Sequence, residues 1–422
     1  MKNGTMGAWA LGRFVVALGT LSLGLLVTGC EPECLDRFDC ANKGNPGEGK
    51  QYTCVASRCV AQDIPSATDA GTDAGTEPPT DAGTDAGTDA GTDPCATVQH
   101  DPKLGTLQLQ TGFTAAAETA TLPEGIGAVT AVPSGAEFKL YGLRNTDLYA
   151  LGTWPNVALG AAPLQSIYAE ADRGGGTKFP NGYLTNDGTL LLAGYTKPGP
   201  LTNVPGTVLV YDTATPANST YLSANGNFSA AGYSGGFFIS GQGLQGASEG
   251  GNGIYGLKTG ATPFQGSKVA TFPTAELFSS ATAVASNGVA VFGYSNYPTD
   301  TLRAVAPATY NPEISSGAPF VLNDTNAPEV YSGTDLKSAA GFGQGVALHR
   351  GTFTTTSDVS RFELTLGGIT PTSVTVGALQ SVLTTTNNTC THVVLLAPMG
   401  PDLLVGVKDK NGRRLVRLQV AP

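Results

Sequence analysis

The chain has 422 residues, of which 57 are glycine and only 13% are charged, and its formal net charge is −10. This composition indicates many turns and few solvent-exposed helices, and therefore favours an all-β protein. The negative charge argues against nucleic acid as a partner and against electrostatic adhesion to anionic lipid.

The first 29 residues have the layout of an export signal. Lys2 and Arg13 precede an apolar stretch that starts at Phe14 and ends in the sequence VTGC at Cys30. The apolar stretch is short for a membrane span, and VTGC resembles the lipobox of bacterial lipoproteins, in which the cysteine is acylated and the chain is cut before it. Residues 1–29 are therefore predicted to be a lipoprotein signal peptide, and Cys30 to carry palmitate-type acyl chains. The alternative is an ordinary secretory signal or anchor helix that leaves Cys30 a free thiol.

Residues 30–63 are predicted to form a small cysteine-rich module. Its four cysteines fall in a segment with too few apolar side chains for a core, and they are Cys34, Cys40, Cys54 and Cys59. An exported segment of this kind needs cross-links, so we expect two disulfides in one of three connectivities. Zinc is disfavoured because the segment has neither a C-x2-C knuckle nor a histidine.

Residues 64–95 are predicted to be a disordered acidic linker. The segment contains five copies of Thr-Asp-Ala-Gly, with six Asp, one Glu and no Lys or Arg between residues 67 and 94. Low hydrophobicity and unopposed charge prevent a packed core. Calcium binding by the Asp repeats is the disfavoured alternative, because they lack the apolar position of the calcium β-roll repeat.

The lipobox, the cysteine-rich module and the linker together resemble surface lipoproteins of the myxobacterial type. The resemblance covers residues 1–95 and implies a location and a modular design, not an activity. Glu31 follows Cys30 and gives no clear signal for inner-membrane retention. We therefore expect a lipid-anchored protein of the outer membrane, exposed at the cell surface.

One pattern recurs from residue 126 onward. A small-residue strand, a tight glycine turn and an apolar strand repeat six times, and the copies end at Gly142, Gly194, Gly241, Gly293, Gly351 and Gly406. The intervals are 52, 47, 52, 58 and 55 residues. Periods near 50 that contain only strands and turns are typical of β-propeller blades. The sequence predicts that residues 96–422 form a six-bladed β-propeller.

Each unit continues with a third strand, such as LRAVAPATY in the fourth, and the first five add a short fourth strand, such as PFVL. The sixth unit has no fourth strand. We expect the N-terminal strand of the domain, at Gly105–Thr111, to supply the outer strand of the last blade and close the ring.

Cys95 precedes that strand, and Cys390 opens the inner strand of the last unit. They are also the two cysteines that remain after lipidation and two pairings in the module. We therefore predict a Cys95–Cys390 disulfide. The alternative pairs Cys95 with the module and leaves Cys390 free.

The sequence offers little for catalysis or metal binding. The whole chain has three histidines, His100, His349 and His392, so a multi-histidine metal centre is very hard to build, and we expect no metal or cofactor. We interpret His392 as a structural residue rather than a ligand. The Asp187-Gly188 pair is interpreted as a hairpin turn.

The connections between second and third strands are predicted to be long in three units, including YSNYPTD. These loops share one face with the crossings between blades, and loops of this kind carry binding. The ligand-face candidates combine aromatic rings with amides that suit sugars or an extended peptide, and they are Tyr195, Gln242, Gln245, Tyr294 and Tyr297. Simple loop packing is the alternative interpretation.

These features favour a lipid-anchored cell-surface binding or scaffold protein, which presents a β-propeller to a glycan or a surface protein. No paired carboxylates occur at the spacing of a catalytic pair, so no catalytic residue is assigned. The alternative is an extracellular polysaccharide hydrolase or lyase, because propeller sites assemble from distant blades.

Overall fold

A computed structural model describes part of the chain, namely residues 50–55, 58–63, 95, 97–167, 182–195, 205–225, 229–247, 250–260, 264, 266–275, 277–316, 318–351, 357–367, 373–385 and 390–421. The chain divides into two units, Met1–Thr88 and Asp89–Pro422. The signal peptide, Cys30, Cys34, Cys40 and nearly all of the linker lie outside the described residues.

In the first unit, β1 (Lys50–Val55) and β2 (Arg58–Asp63) form an antiparallel hairpin. Cys54 and Cys59, two of the four cysteines assigned to the small module, are directly opposite one another in its register. The hairpin lies within residues 30–63, the segment that the sequence predicts to form that module.

The described part of the second unit is a six-bladed β-propeller, as the sequence predicted. Six sheets follow one another along the chain, and the inner strand of each contacts the inner strands of both neighbours, so that the ring is closed. Each blade begins with one of the six glycine-turn hairpins. Tight turns fix adjacent antiparallel strands, and the apolar second strand is then buried between neighbouring sheets.

The first three blades all have the inner-to-outer order of the repeat. Blade one comprises β5 (Ile126–Ser134), β6 (Glu137–Arg144), β7 (Asp147–Thr153), β8 (Asn156–Val157) and β9 (Gln165–Ser166). Blade two comprises β10 (Gly182–Asn186), β11 (Leu190–Tyr195), β12 (Pro205–Asp212) and β13 (Thr220–Asn225), with a 3-10 helix at Pro216–Asn218 and β16 (Gly243–Leu244) on its edge. Blade three comprises β14 (Ser229–Tyr233), β15 (Gly236–Gly241), β17 (Gly253–Lys258), β18 (Gly266–Thr271) and β22 (Phe320–Val321).

The last three blades contain the helix and the ring closure. Blade four comprises β19 (Phe278–Val284), β20 (Ala290–Asn296), β21 (Thr299–Val305), α1 (Pro307–Ser316) and β23 (Glu329–Gly333). Blade five comprises β24 (Leu336–Phe342), β25 (Gly345–Arg350), β26 (Asp358–Gly367), β27 (Ser373–Val376), β28 (Gln380–Thr385) and β3 (Leu107–Leu109). Blade six comprises β29 (Thr391–Met399), β30 (Asp402–Asp409), β31 (Gly412–Val420) and β4 (Phe113–Thr121).

The N-terminal segment of the domain closes the ring, which confirms the predicted mode of closure, but the strand that does so is β4. The predicted Gly105–Thr111 strand contains β3, which pairs with β28 of blade five instead. Length explains the difference: β4 and β31 each have nine residues and pair along most of the blade edge, whereas β3 has three. Leu107 of β3 is buried in the core between blades five and six.

Two other predicted strands are corrected around the helix. The segment LRAVAPATY leaves the sheet at its middle, because α1 begins at Pro307, and Tyr310 and Ile314 of this helix are buried in the core between blades three and four. The helix returns the chain to blade three, where β22, from the segment PFVL, pairs in parallel with β18. The outer strand of blade four is therefore β23.

The start of the domain is fastened to blade six by covalent and polar contacts. Cys95 and Cys390 form a disulfide across 295 residues, as predicted. The Asp409 carboxylate accepts hydrogen bonds from His100 Nδ1 at 3.0 Å and from two Arg414 nitrogens at 2.9 Å each. We refer to His100, Asp409 and Arg414 as the closure cluster.

Candidate functional site on the crossing face

The antiparallel order of the strands defines two ends of the propeller. The turns between first and second strands lie at one end. The turns between second and third strands lie at the other, together with the crossings from each outer strand to the next inner strand. We call this second end the crossing face, and it is the end at which the sequence placed the binding loops.

The inner strands around the central axis are held by polar contacts between blades. Asn186 Nδ2 donates to Thr130 Oγ1 at 2.6 Å, and the Gly232 amide donates to Thr185 Oγ1 at 2.9 Å. A Cβ atom at Gly232 would overlap the Asn186 carbonyl, so glycine allows the two inner strands to approach. These hydroxyl and amide groups are used for packing around the axis.

The predicted ligand-face residues do not form one site. Tyr294 is buried in the core between blades three and four, where its hydroxyl accepts a hydrogen bond from Arg303 Nε at 3.1 Å. Gln245 is exposed, but its side-chain oxygen accepts from the Ser223 amide on the outer strand of blade two. Tyr195 ends β11, and the structure does not describe its side chain.

Gln242 and Tyr297 lie on the crossing face. Gln242 is half-buried and directly follows β15. Tyr297 is 90% exposed in the two-residue turn with Pro298 that joins β20 to β21. The predicted long connection at YSNYPTD is therefore a tight turn, because the two strands remain paired up to Asn296 and Thr299.

A row of side chains crosses blade four beside that turn. Phe278 is the register partner of Ser295, Ser295 of Asp300, and Asp300 of Gly333. Register partners project from the same side of an antiparallel sheet. We call these four residues the blade-four row; Phe278, at its inner end, is 48% exposed.

Asp300 is the charged member of the row. Ser280 Oγ donates to Asp300 Oδ1 at 2.8 Å. The Ser295 hydroxyl donates to the Thr299 carbonyl at 3.4 Å, and its hydrogen bonding also lowers the pKa of the neighbouring Asp300. Burial raises the pKa of Asp300, and the two serine hydrogen bonds only partly offset that rise. The carboxyl is half-buried, so it remains within reach of solvent.

A second polar group adjoins the outer end of the row. The Tyr331 hydroxyl donates to Asp335 Oδ1, and Arg350 donates to Asp335 Oδ2 from Nη2 at 2.9 Å and from Nε at 3.2 Å. A Cβ at Gly333 would meet the Tyr331 hydroxyl and would stand 3.2 Å from Asp335 Oδ1, so the two groups are contiguous.

The electrostatics of this second group are opposite to those of Asp300. Burial alone would raise the pKa of Asp335, but hydrogen bonds from Tyr331 and Arg350 outweigh it and lower that pKa. Burial and the bond to Asp335 raise the pKa of Tyr331 to about 12, so this hydroxyl stays protonated at neutral pH. The side chains of Asp335 and Arg350 are 29% and 30% exposed.

Sequence reasoning missed most of this site. Phe278, Asp300 and Asp335 belong to no motif, and they come together only through the strand register and the crossing into blade five. A usable signal was present in the segment YSNYPTD, whose Ser and Asp lie on either side of the turn.

The histidines and the Asp187-Gly188 turn lie outside the blade-four row. His349 is buried on β25, and His392 is exposed on β29. The turn interpretation of Asp187 is confirmed, because its Oδ1 accepts from the amides of Thr189 and Leu190. In the ranges that the structure describes, no cluster of three or more His, Cys, Asp or Glu is placed to hold a metal ion.

Within those same ranges, no helix has both the length and the apolar character needed to cross a bilayer.

Comparison with known proteins adds no family. No protein-family model matches the chain, and no curated protein matches it. Among solved structures, the chain is similar to the β-propeller domain of Cps50 (Swd1) from Myceliophteria thermophila, with 10% identity and a TM-score of 0.40, over 73% of this chain and 100% of that one.

Two further solved structures are similar at the same level. An oligogalacturonate lyase in complex with manganese has 12% identity and a TM-score of 0.38, over 67% of this chain and 74% of that one. A chain of the mitotic checkpoint complex has 11% identity and a TM-score of 0.36, over 78% and 96%. Likeness this distant carries no functional argument. The class of protein is a six-bladed β-propeller closed by its own N-terminal strand.

Proposed function

We propose that the protein is a binding or scaffold protein, anchored at the cell surface by lipid on Cys30, whose propeller engages a glycan or a surface protein. The observation that carries the binding role is the crossing face of blade four. Two aromatic residues, Phe278 and Tyr297, are exposed there beside hydroxyl and carboxyl groups. Exposed rings next to fixed polar groups suit recognition of sugars and peptides.

The lipid anchor is supported by the VTGC sequence and tested by Cys30→Ala. The wild-type chain, acylated at Cys30, should partition into membranes, and the variant should be released, because acyl chains supply the membrane affinity. Fractionation of expressing cells measures this. A Cys30→Ala chain found wholly in the membrane fraction contradicts the anchor.

The binding role is tested with the full chain carrying Cys30→Ala, immobilised through a C-terminal tag. Solutions of oligosaccharides and of solubilised surface proteins are passed over it, and saturable binding to one class is expected. The double variant Phe278→Ala/Tyr297→Ala should lose that binding. Tyr221→Ala, which removes an exposed aromatic ring on blade two, is the control and should retain it. Absence of saturable binding to both classes contradicts the proposal.

One observation favours the enzymatic alternative, a polysaccharide hydrolase or lyase. The pKa values of Asp300 and Asp335 are shifted in opposite directions beside one another, and such carboxyl pairs divide the roles of acid and base in many enzymes. Incubation with polysaccharides, followed by assays for reducing ends and for unsaturated products, tests this alternative. If the wild-type chain degrades a polysaccharide and Asp335→Asn abolishes this activity, the enzymatic alternative is established.

A further inference from the structure

The blade-four row has the arrangement of a subsite for a single ring-shaped ligand. Phe278 at its inner end is an exposed flat apolar surface, and Ser295 and Asp300 follow on the same side of the sheet. Gly333 ends the row without a side chain, and the Tyr331 hydroxyl and Asp335 Oδ1 occupy the space above it, so that they close the outer end of the row. The order from the axis outward is the Phe278 ring, the Ser295 hydroxyl, the Asp300 carboxyl and the Tyr331 phenol.

The polar atoms of the row retain capacity for a ligand. A carboxylate has about four acceptor sites, and the Ser280 hydroxyl occupies part of that capacity at Asp300. The oxygens of Ser280 and Ser295 can also accept hydrogen bonds. The row therefore favours a ligand that brings several hydroxyl donors on one edge.

The charges of the row argue against an acidic ligand. Asp300 is the ionisable member of the row, and the adjacent Arg350 places two nitrogens on Asp335 at 2.9 and 3.2 Å. A uronic acid or a sulfated sugar would place its negative charge beside the Asp300 carboxylate. Arg350, the cation adjacent to the row, is already paired with Asp335. Like charges in a half-buried site repel.

We infer that the blade-four row binds one neutral pyranose ring of a polysaccharide, with an apolar face of the sugar on Phe278 and adjacent sugar hydroxyls donating to Asp300. This inference rests on the proposed binding function and names its ligand class and its contacts. Aromatic faces bind the C–H face of a sugar, and a carboxylate orients a pair of hydroxyls. Ser280 holds the carboxylate in place for this purpose.

The experiment titrates the full chain carrying Cys30→Ala with a panel of oligosaccharides on an array, followed by calorimetry. The neutral probes are gluco-, manno- and galacto-oligosaccharides, and the acidic probes are oligogalacturonate and alginate fragments. Phe278→Ala and Asp300→Asn test the two contacts. Tyr221→Ala and Glu118→Gln are matched controls, at an exposed ring and an exposed carboxylate outside the row.

At least one neutral probe should bind more tightly than every acidic probe. Each test variant should weaken that binding about tenfold, while both controls bind as the parent does. Three results overturn the inference: no neutral probe binds, acidic probes bind best, or neither test variant weakens binding. If surface proteins bind saturably in any of these cases, the proposed binding function survives and only the sugar subsite is lost.

Discussion

Blades four and six each place an aspartate beside the turn between second and third strands, but the two carboxylates have opposite surroundings. In blade six, the Asp409 side chain is 0% exposed because the start of the domain covers the turn. Burial alone would raise the pKa of Asp409, yet hydrogen bonds from Arg414, His100 and the Asn411 amide outweigh it and lower the pKa to about 2. In blade four, nothing described covers the turn at Tyr297, which is 90% exposed.

The difference shows how carboxylates on either side of the same turn of the repeat can serve two purposes. A carboxylate with charged donors on both oxygens is satisfied and stabilises the ring closure. Asp300 has serine donors and a raised pKa, so its desolvation is only partly compensated. Uncompensated polar groups near a surface are available to a ligand. Asp409→Asn and Asp300→Asn test this contrast between a structural and a functional carboxylate directly, and Cys390→Ser and His349→Gln test other contributions to the stability of the ring.

The largest effect is expected from Cys390→Ser, which removes the covalent part of the closure at blade six. The disulfide spans 295 residues, and the chain-entropy estimate for such a loop is on the order of 5 kcal/mol. Denaturant unfolding under oxidising conditions should show a loss approaching that value. The difference between wild type and variant should vanish in reductant, and a difference that persists there would contradict the entropic account.

Asp409→Asn should cost about 3 kcal/mol of unfolding free energy, because it leaves the buried Arg414 and His100 without their anionic partner. Thermal and denaturant unfolding measure the loss. Asp324→Asn is the matched control, since its carboxylate is 90% exposed beside Arg303 and should contribute much less. Equal losses in the two variants would remove the structural role assigned to the closure cluster.

Acidification should destabilise the propeller through His349. Burial, and secondarily Lys337, lower the pKa of His349 from 6.5 to about 4. Between these two pH values the unfolded chain binds a proton that the folded chain refuses, so stability is complete above pH 6.5 and is lost as pH falls toward 4. The loss is on the order of 3 kcal/mol.

His349→Gln should flatten the pH dependence of the unfolding free energy in that window. His392→Gln, at an exposed histidine, is the control and should keep the acid dependence of the parent. Asp409 acts in a lower window, since its contribution is present above pH 3.8 and is lost as pH falls through about 2. An unchanged slope in His349→Gln would contradict the assignment.

The smallest effect on stability is expected from Asp300→Asn. Because the pKa of Asp300 is raised, its ionised form is disfavoured in the folded state, and the neutral amide should change the unfolding free energy by less than about 1 kcal/mol, in either direction. Denaturant unfolding at pH 7 measures this. A loss as large as that of Asp409→Asn would make Asp300 a structural residue and end the contrast between the two blades.

Much of the fold was predictable, because each hairpin carries its own turn. The Asp187-Gly188 turn is an example: the side chain of Asp187 caps two amides, and Gly188 has a φ of 103°. Glycine turns of this kind recur six times along the sequence, and their number therefore predicts the number of blades. The pairing of outer strands was less predictable, since β4 is made mostly of Ala and Thr and carries no alternation, whereas β3 alternates clearly and pairs elsewhere.

The candidate site was the least predictable part. Tyr294 and Tyr297 look alike in the sequence, but Tyr294 lies on β20 with its side chain on the face that packs in the core between blades three and four, while Tyr297 lies in the turn and faces solvent. A shift of one residue along a strand reverses the side from which a side chain projects. Pattern alone therefore did not separate the two tyrosines.

The sequence by itself determined the all-β class, the six repeats, the closure by an N-terminal strand and the Cys95–Cys390 pair. These features follow from local turn chemistry, from the spacing of the repeats and from the number and positions of the cysteines. Only the tertiary structure decided that β4 closes blade six, that α1 returns the chain to blade three, that Phe278 and Asp300 share one side of blade four, and that Asp335 adjoins the outer end of this row. Those outcomes depend on strand register and on packing between blades, which residues distant in sequence set jointly.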